Sequence, residues 1–205
     1  MLFRSRRNHE REQHRKAGWL WLQRRPIAGT IAERYLRQSR GITCPLPTTL
    51  GFLSPAKPQH CPAMIAAFGM PDEPGSGILG KLTSVGAVHL TLLKLDGSGK
   101  ADLEKPKLVV GSPSARPIVI APPNDLLGLA ICEGIEDALT AHQATGLGAW
   151  AAGAAGFMPK LADAVPSYIE AVTIYAHADK AGQHGAHKLA AALRKRGIEI
   201  RMEGA

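Results

Sequence analysis

Aromatic residues make up only 5% of the 205-residue chain, and cysteines only three, Cys44, Cys61 and Cys132. They form no C-x-x-C pair and their number is odd, which argues against a disulfide framework and a zinc ribbon and suits a reducing cytoplasm. His60, Cys61 and Cys44 together lack the fourth ligand of a structural zinc site, and Cys132 reads as a small buried apolar residue. No apolar run approaches the roughly 20 residues of a membrane-spanning helix, and no apolar core follows the basic start, so neither a span nor a signal peptide is expected. There is no G-x-x-x-x-G-K-[ST] loop for ATP phosphates, no G-x-S-x-G elbow and no internal repeat. Gly146-Leu147-Gly148-Ala149-Trp150-Ala151 matches G-x-G-x-x-A by its letters, yet it follows a helical pattern and precedes a strand, the reverse of a dinucleotide site.

Negative charge is scarce in one place. Residues 1–41 hold eleven Lys/Arg against three Glu, whereas residues 42–205 hold fourteen of each sign, so the N-terminal segment carries the whole net charge of +8. Such a block is either an electrostatic footprint for a nucleic-acid backbone or a solvated helix or tail. Residues 4–16 are almost wholly polar and read as a frayed helix or an arm. Trp19 and Trp21, beside Arg24 and Arg25, either stack on unpaired bases or anchor the segment to its own domain. Thr30-Ile31-Ala32-Glu33 is a capping box opening a helix over about 30–40, and its Arg34, Arg37 and Arg40 are further candidate phosphate contacts.

Pro45, Pro47, Pro55, Pro58 and Pro62 make 43–62 read as an irregular loop. Short strands are expected at 63–68, 85–95, 107–110 and 117–121, with a strong turn at Asp96-Gly97-Ser98-Gly99, forming a small antiparallel β region. The last third then alternates: strand 128–132, helix 135–144, strand 147–152, helix 157–164, strand 171–176, helix 183–196, strand 198–202. This order calls for an α/β fold with a mainly parallel sheet. The expected division is a basic N-terminal arm and helix over 1–41, a β-rich region over 42–122 and an α/β domain over 123–205.

Two strand ends carry acids to one edge of that sheet. The apolar run 128–132 ends at Glu133, and the strand 171–176 ends at His177-Ala178-Asp179. Acids at such ends either serve a ligand site or merely cap the following helices.

A Glu on one strand and an acidic pair on a later one, together with Glu133-Gly134-x-Glu136-x-Ala138-Leu139, Ala149-Trp150-Ala151-Ala152 and Asp179-x-x-Gly182, resemble the Toprim domain of the topoisomerase-primase superfamily. The likeness is to the primase-like type of phages, plasmids and integrative elements. Upstream, Arg25-Pro26-Ile27, Gly29-Thr30, Pro45-Leu46-Pro47 and Pro62-Ala63-Met64 resemble the region preceding Toprim in the same proteins. The resemblance spans about residues 24–203 and implies a Rossmann-like C-terminal Toprim domain.

For function it implies metal-dependent nucleotidyl transfer on DNA, as in RNA primer synthesis for a mobile element. Glu133 would be the acid-base residue or a metal ligand. Glu133, Asp179 and His177 would hold Mg²⁺ or Mn²⁺, with Glu136 and Lys180 in support. Implied partners are DNA, expected to be single-stranded, nucleotides, and a helicase or other replication protein on a separate polypeptide, in the cytoplasm. The family pattern at the second strand end is Asp-x-Asp, and this chain has His177-Ala178-Asp179. Imidazole favours Mn²⁺ over Mg²⁺. The site is accordingly tuned, weakened, or decayed to an accessory module that binds DNA.

Overall fold

The apolar run Ala63-Met64-Ile65-Ala66-Ala67 is buried along its whole length, as only a strand covered on both faces can be. In the structure, a computed structural model describing residues 2–57 and 59–204 with the side chains of residues 2–7 excepted, it is the second strand of an antiparallel sheet. The strands are β1 (Leu50–Leu53), β2 (Ala63–Ala67), β3 (Ala87–Leu92) and β4 (Lys107–Gly111), in that spatial order. Register sets Ile65 opposite Leu90 and Ala67 opposite Val88, so these side chains share one face. Helix α1 (Leu2–Leu22) closes that face with Ala17 and Trp21. Met64 and Ala66, paired with Thr91 and His89, are buried on the other face.

These strands and α1 belong to a unit formed by Met1–Gly69 and Leu82–Pro113. It also contains α2 (Ile31–Arg34), which continues as a π-helical turn over Tyr35–Ser39. Thr30 Oγ1 accepts from the Glu33 amide, and Glu33 Oε2 accepts from the Gly29 amide at 2.7 Å, so the capping box closes. Residues 8–16 are helical and continuous with the Trp19-to-Leu22 segment. Strand β1 corrects the expected loop over 43–62. The prolines flank Leu50–Leu53 without entering it, leaving its amides free to pair with β2.

The second unit, Met70–Lys81 with Ser114–Ala205, is α/β. Its strands are β5 (Ile118–Ala121), β6 (Gly128–Cys132), β7 (Gly148–Ala151), β8 (Ala171–Tyr175) and β9 (Glu199–Glu203), in spatial order β5-β7-β6-β8-β9. All neighbours are parallel except β5, which runs antiparallel to β7 at the edge. That corrects the grouping of 117–121 with the antiparallel strands upstream. Helix α3 (Ile135–Thr145) joins β6 to β7, a 3₁₀ helix (Ala155–Ala164) precedes β8, and α4 (Lys180–Arg194) joins β8 to β9.

The core of this unit lies between the sheet, the 3₁₀ helix and α4, where Leu129, Ile131, Trp150, Val172 and Ile174 meet Met158, Leu161, Leu189 and Leu193. Alternation turns Ala130 and Cys132 to the opposite face. Cys132 is fully buried, and burial pushes its thiol well above the usual range, followed in effect by the charge of Asp137. It is an inert packing residue.

Candidate functional site

The chain leaves β6 toward β7 on one side and leaves β8 toward β9 on the other. The strand order therefore reverses between β6 and β8, and the crevice beyond their carboxyl ends is where such sheets bind ligands. Glu133 follows β6 and His177 follows β8, so the topology alone puts them at that point. The Glu133 carbonyl accepts from the Gly153 amide at 2.9 Å, which ties the end of β6 to the segment after β7.

Glu133 is mostly covered, its side chain 19% exposed, and its Oε2 lies 3.5 Å from His177 Nδ1 without making a hydrogen bond. A buried carboxylate oxygen without a donor is costly, and a cation beside it would offset that cost. The other ring nitrogen, His177 Nε2, lies 3.0 Å from Asp137 Oδ2. The imidazole is thus held between a carboxylate from the end of β6 and one from the first turn of α3.

Asp137 was not among the expected site residues. The signal was present, since Glu133 and Asp137 are four apart across a strand-to-helix junction, but acids in a first helical turn are common for the helix dipole alone.

Asp179 stands at the N-cap of α4, its Oδ1 accepting from the Gly182 amide at 2.8 Å. One of its two oxygens is engaged there. A Cβ at Gly182 would lie 2.9 Å from both the Cβ and the carbonyl oxygen of His177, so only glycine lets α4 start this close to the backbone of His177. Gln183 Nε2 donates to the same carbonyl at 3.3 Å. Glu136 is buried in α3, and Lys180 is exposed as the first residue of α4. A cavity of ≈ 310 Å³ opens beside the imidazole, lined among others by Asp137, Thr140, Tyr175 and His177. Burial, and after it the charges of Glu203 and Cys132, raise the Tyr175 hydroxyl.

Among the described residues, no three His, Cys, Asp or Glu groups are placed to hold a metal ion together. Mg²⁺ seldom uses a closed protein cage; it is held by one or two carboxylates, several waters and substrate phosphates. Glu133 Oε2, with no hydrogen-bond donor, and the second oxygen of Asp179 fit that open mode as donor types. His177, the nitrogen of the expected set, does not join them as a third ligand.

The candidate phosphate-binding arginines lie in the other unit, and most are engaged within it. Arg24 Nη1 donates to the Trp21 carbonyl at 2.7 Å, its guanidinium stacks 3.7 Å from the Trp21 ring centroid, and burial lowers its pKa. Arg34 donates to the Asp96 carbonyl, Arg37 to those of Ile42 and Cys44, and Arg40 to the Tyr35 hydroxyl. Arg25 is exposed, its backbone paired with Phe52.

A domain family described as "Domain of unknown function (DUF7146)" matches residues 11–120, and the Toprim domain matches residues 128–203. No curated protein matches the chain. Among solved structures, the primase fragment of the bacteriophage T7 primase-helicase protein is similar at 15% identity and a TM-score of 0.46, over 82% of this chain and 59% of that one. A DNA primase domain from Pseudomonas aeruginosa is similar at 11% identity and a TM-score of 0.45, over 82% of this chain and 50% of that one. The chain therefore spans between half and three-fifths of the length of those structures.

Proposed function

Because the chain belongs to the DUF7146 family and carries a Toprim domain over residues 128–203, we propose that it performs primase-like, divalent-cation-dependent nucleotidyl transfer on DNA. The observation that carries this reading is the buried, donor-free oxygen of Glu133 at the reversal point of the parallel sheet. Toprim domains generally bind divalent metals, and a bound Mg²⁺ or Mn²⁺ would neutralise phosphate oxygens. Glu133 and Asp179 would hold it.

The chain's own groups have distinct tasks. The Glu133 carboxylate takes the proton from a 3′-hydroxyl as its oxygen bonds to the α-phosphorus of a nucleoside triphosphate and pyrophosphate leaves. His177 is fixed by Asp137 through Nε2 and sets its Nδ1 3.5 Å from the Glu133 carboxylate. Glu136 supports the first turn of α3, and Lys180 supplies positive charge to a phosphate at the same edge. DNA and nucleotides are the partners, together with a helicase or other replication protein. Among the described residues no helix is long and apolar enough to cross a membrane.

A second reading has its own observation. His177 stands where the family pattern has an acid, it lies between two carboxylates, and one oxygen of Asp179 is committed to a helix cap. On this reading the domain is an accessory DNA-binding module of replication or recombination.

Incorporation of labelled ribonucleotides on single-stranded DNA separates the two, measured with Mg²⁺ and with Mn²⁺. Under the first reading the wild type incorporates and Glu133→Gln abolishes it, a loss of at least about 100-fold, the lower range for a general base. Under the second, the wild type is silent and His177→Asp gains activity.

A further inference from the structure

The three tryptophans have three different fates. Trp150 is fully buried in the α/β unit, Trp21 is 7% exposed against the antiparallel sheet, and Trp19 is 58% exposed. In a chain with 5% aromatics, a bare indole in a regular helix has no packing explanation. At 100° per residue, Arg11, Arg15, Trp19 and Leu22 fall on one face of α1, opposite the buried Ala17. Leu22 is 76% exposed. Neither Arg11 nor Arg15 has a hydrogen bond or ion pair among the described residues. That contrasts with Arg24, Arg34, Arg37 and Arg40, whose guanidinium groups are engaged at home.

We propose that this face of α1 binds single-stranded nucleic acid, with Trp19 as the platform for a base and Arg11 and Arg15 as phosphate contacts. Sequence-tolerant single-strand binding combines these two parts, since every unpaired base offers a π-face to an aromatic ring. A duplex has its bases stacked internally and offers none. Arg11 to Trp19 spans about 12 Å of helix axis.

Charge decides the occupant. The face and its flank carry Arg11, Arg15 and Lys16 against a single Glu12, so a second copy docked face to face would set like charges together. A polyanion does the reverse. This surface does not depend on the reading of Glu133, because it needs neither a cation nor turnover.

Fluorescein-labelled oligothymidylate and oligouridylate of 20 nucleotides, and a 20-base-pair DNA duplex, are titrated with the full chain. Anisotropy gives affinity and intrinsic tryptophan emission gives a second readout. Trp19 is the exposed tryptophan, so the emission change reports its stacking. Single strands are expected to quench the emission and to bind more tightly than the duplex, and the deoxy and ribo arms decide which nucleic acid is preferred. Trp19→Leu weakens single-strand binding by about 5- to 100-fold, and Trp19→Phe restores most of it. Arg11→Gln with Arg15→Gln lowers the log-log salt slope by about 1.4, at about 0.7 per single-strand phosphate contact. The titrations are run in EDTA and without nucleotide, so their outcome does not depend on cation binding or turnover at Glu133, which separates this surface from the catalytic reading. Wild-type affinity in Trp19→Leu, or an unchanged slope in the double variant, overturns the proposal. So does a Trp19→Leu whose one effect is lost self-association in sedimentation, which would make the face a protein interface.

Discussion

His177 Nε2 reaches Asp137 Oδ2 at 3.0 Å across forty residues of sequence, with Glu133 Oε2 3.5 Å from the other ring nitrogen. Because the side chains of His177 and Asp137 are 39% and 48% exposed, water screens the contact, and it contributes at most about 1 kcal/mol to stability. Its importance is positional. Asp137→Ala is expected to leave the urea midpoint nearly unchanged while shifting the imidazole ¹⁵N resonances of His177. A large loss of stability with unmoved resonances would make the pair a structural one.

Asp179 has two possible tasks, and substitution separates them. Removing the cap with Asp179→Ala should cost about 1 kcal/mol, whereas Asp179→Asn and Asp179→Ser, good N-caps themselves, should cost little. If the carboxylate also holds a cation, Asp179→Asn folds normally yet fails to bind Mn²⁺ in a paramagnetic relaxation titration. Intact Mn²⁺ binding in that variant would confine Asp179 to the cap.

Gly182→Ala would ordinarily stabilise a helix, by up to about 1 kcal/mol. Here the added methyl lies 2.9 Å from His177 backbone and Cβ atoms that have no flexible end to swing away, and overpacking of this kind costs about 1–3 kcal/mol. The net expectation is destabilisation in denaturant titrations, with displaced His177 resonances. A stabilised variant would show that α4 shifts freely against the end of β8.

Asp96 carries the pH prediction. The Ser98 amide donates to its Oδ1 at 2.9 Å, and hydrogen bonding to Ser98, backbone first and then side chain, holds the carboxyl below its ordinary value. A pKa lowered by folding means that the stability this group supplies is fully present above the unfolded carboxylate value, near pH 4, and is lost as pH falls through the folded value. Asp96→Asn keeps an acceptor without the charge. The difference in urea midpoint between wild type and variant should be constant above about pH 5 and change only at lower pH. A constant difference down to pH 2.5 would refute the linkage.

The second unit was readable because its sequence changes period abruptly. Gly128 to Cys132 is continuously apolar, the helical pattern starts at Ile135, and the same change recurs at Ala171 and Lys180. Burial of a parallel sheet on both faces writes itself into composition. Strand β1 was hidden because Pro47 and Pro55 dominate a four-residue run too short to show alternation. Strand β5 was visible as a strand but not as to its partner, since an antiparallel edge of a mixed sheet leaves no local mark. At the site, Glu133 and His177 were legible from strand ends. Asp137 was not, because its role arises from β6 and β8 being neighbours, a long-range fact of strand order. The two tryptophans divided between burial and exposure by helical phase, which a polar helix without an apolar stripe upstream of Ala17 did not disclose.

The Met70–Lys81 segment belongs to the α/β unit although it is interrupted from Ser114 by the last part of the antiparallel unit. Leu79 packs against the α/β core, and Ser76 Oγ donates to Asp125 Oδ1 at 2.8 Å. During synthesis this segment leaves the ribosome before any of β5 to β9 exists, and it must wait, its apolar side chain without a home, while Leu82–Pro113 is made. The antiparallel unit can finish folding first, but the α/β unit recruits a piece of chain older than itself, so its folding closes a long loop and is the step at which premature release or proteolytic nicking near residue 75 would do most harm.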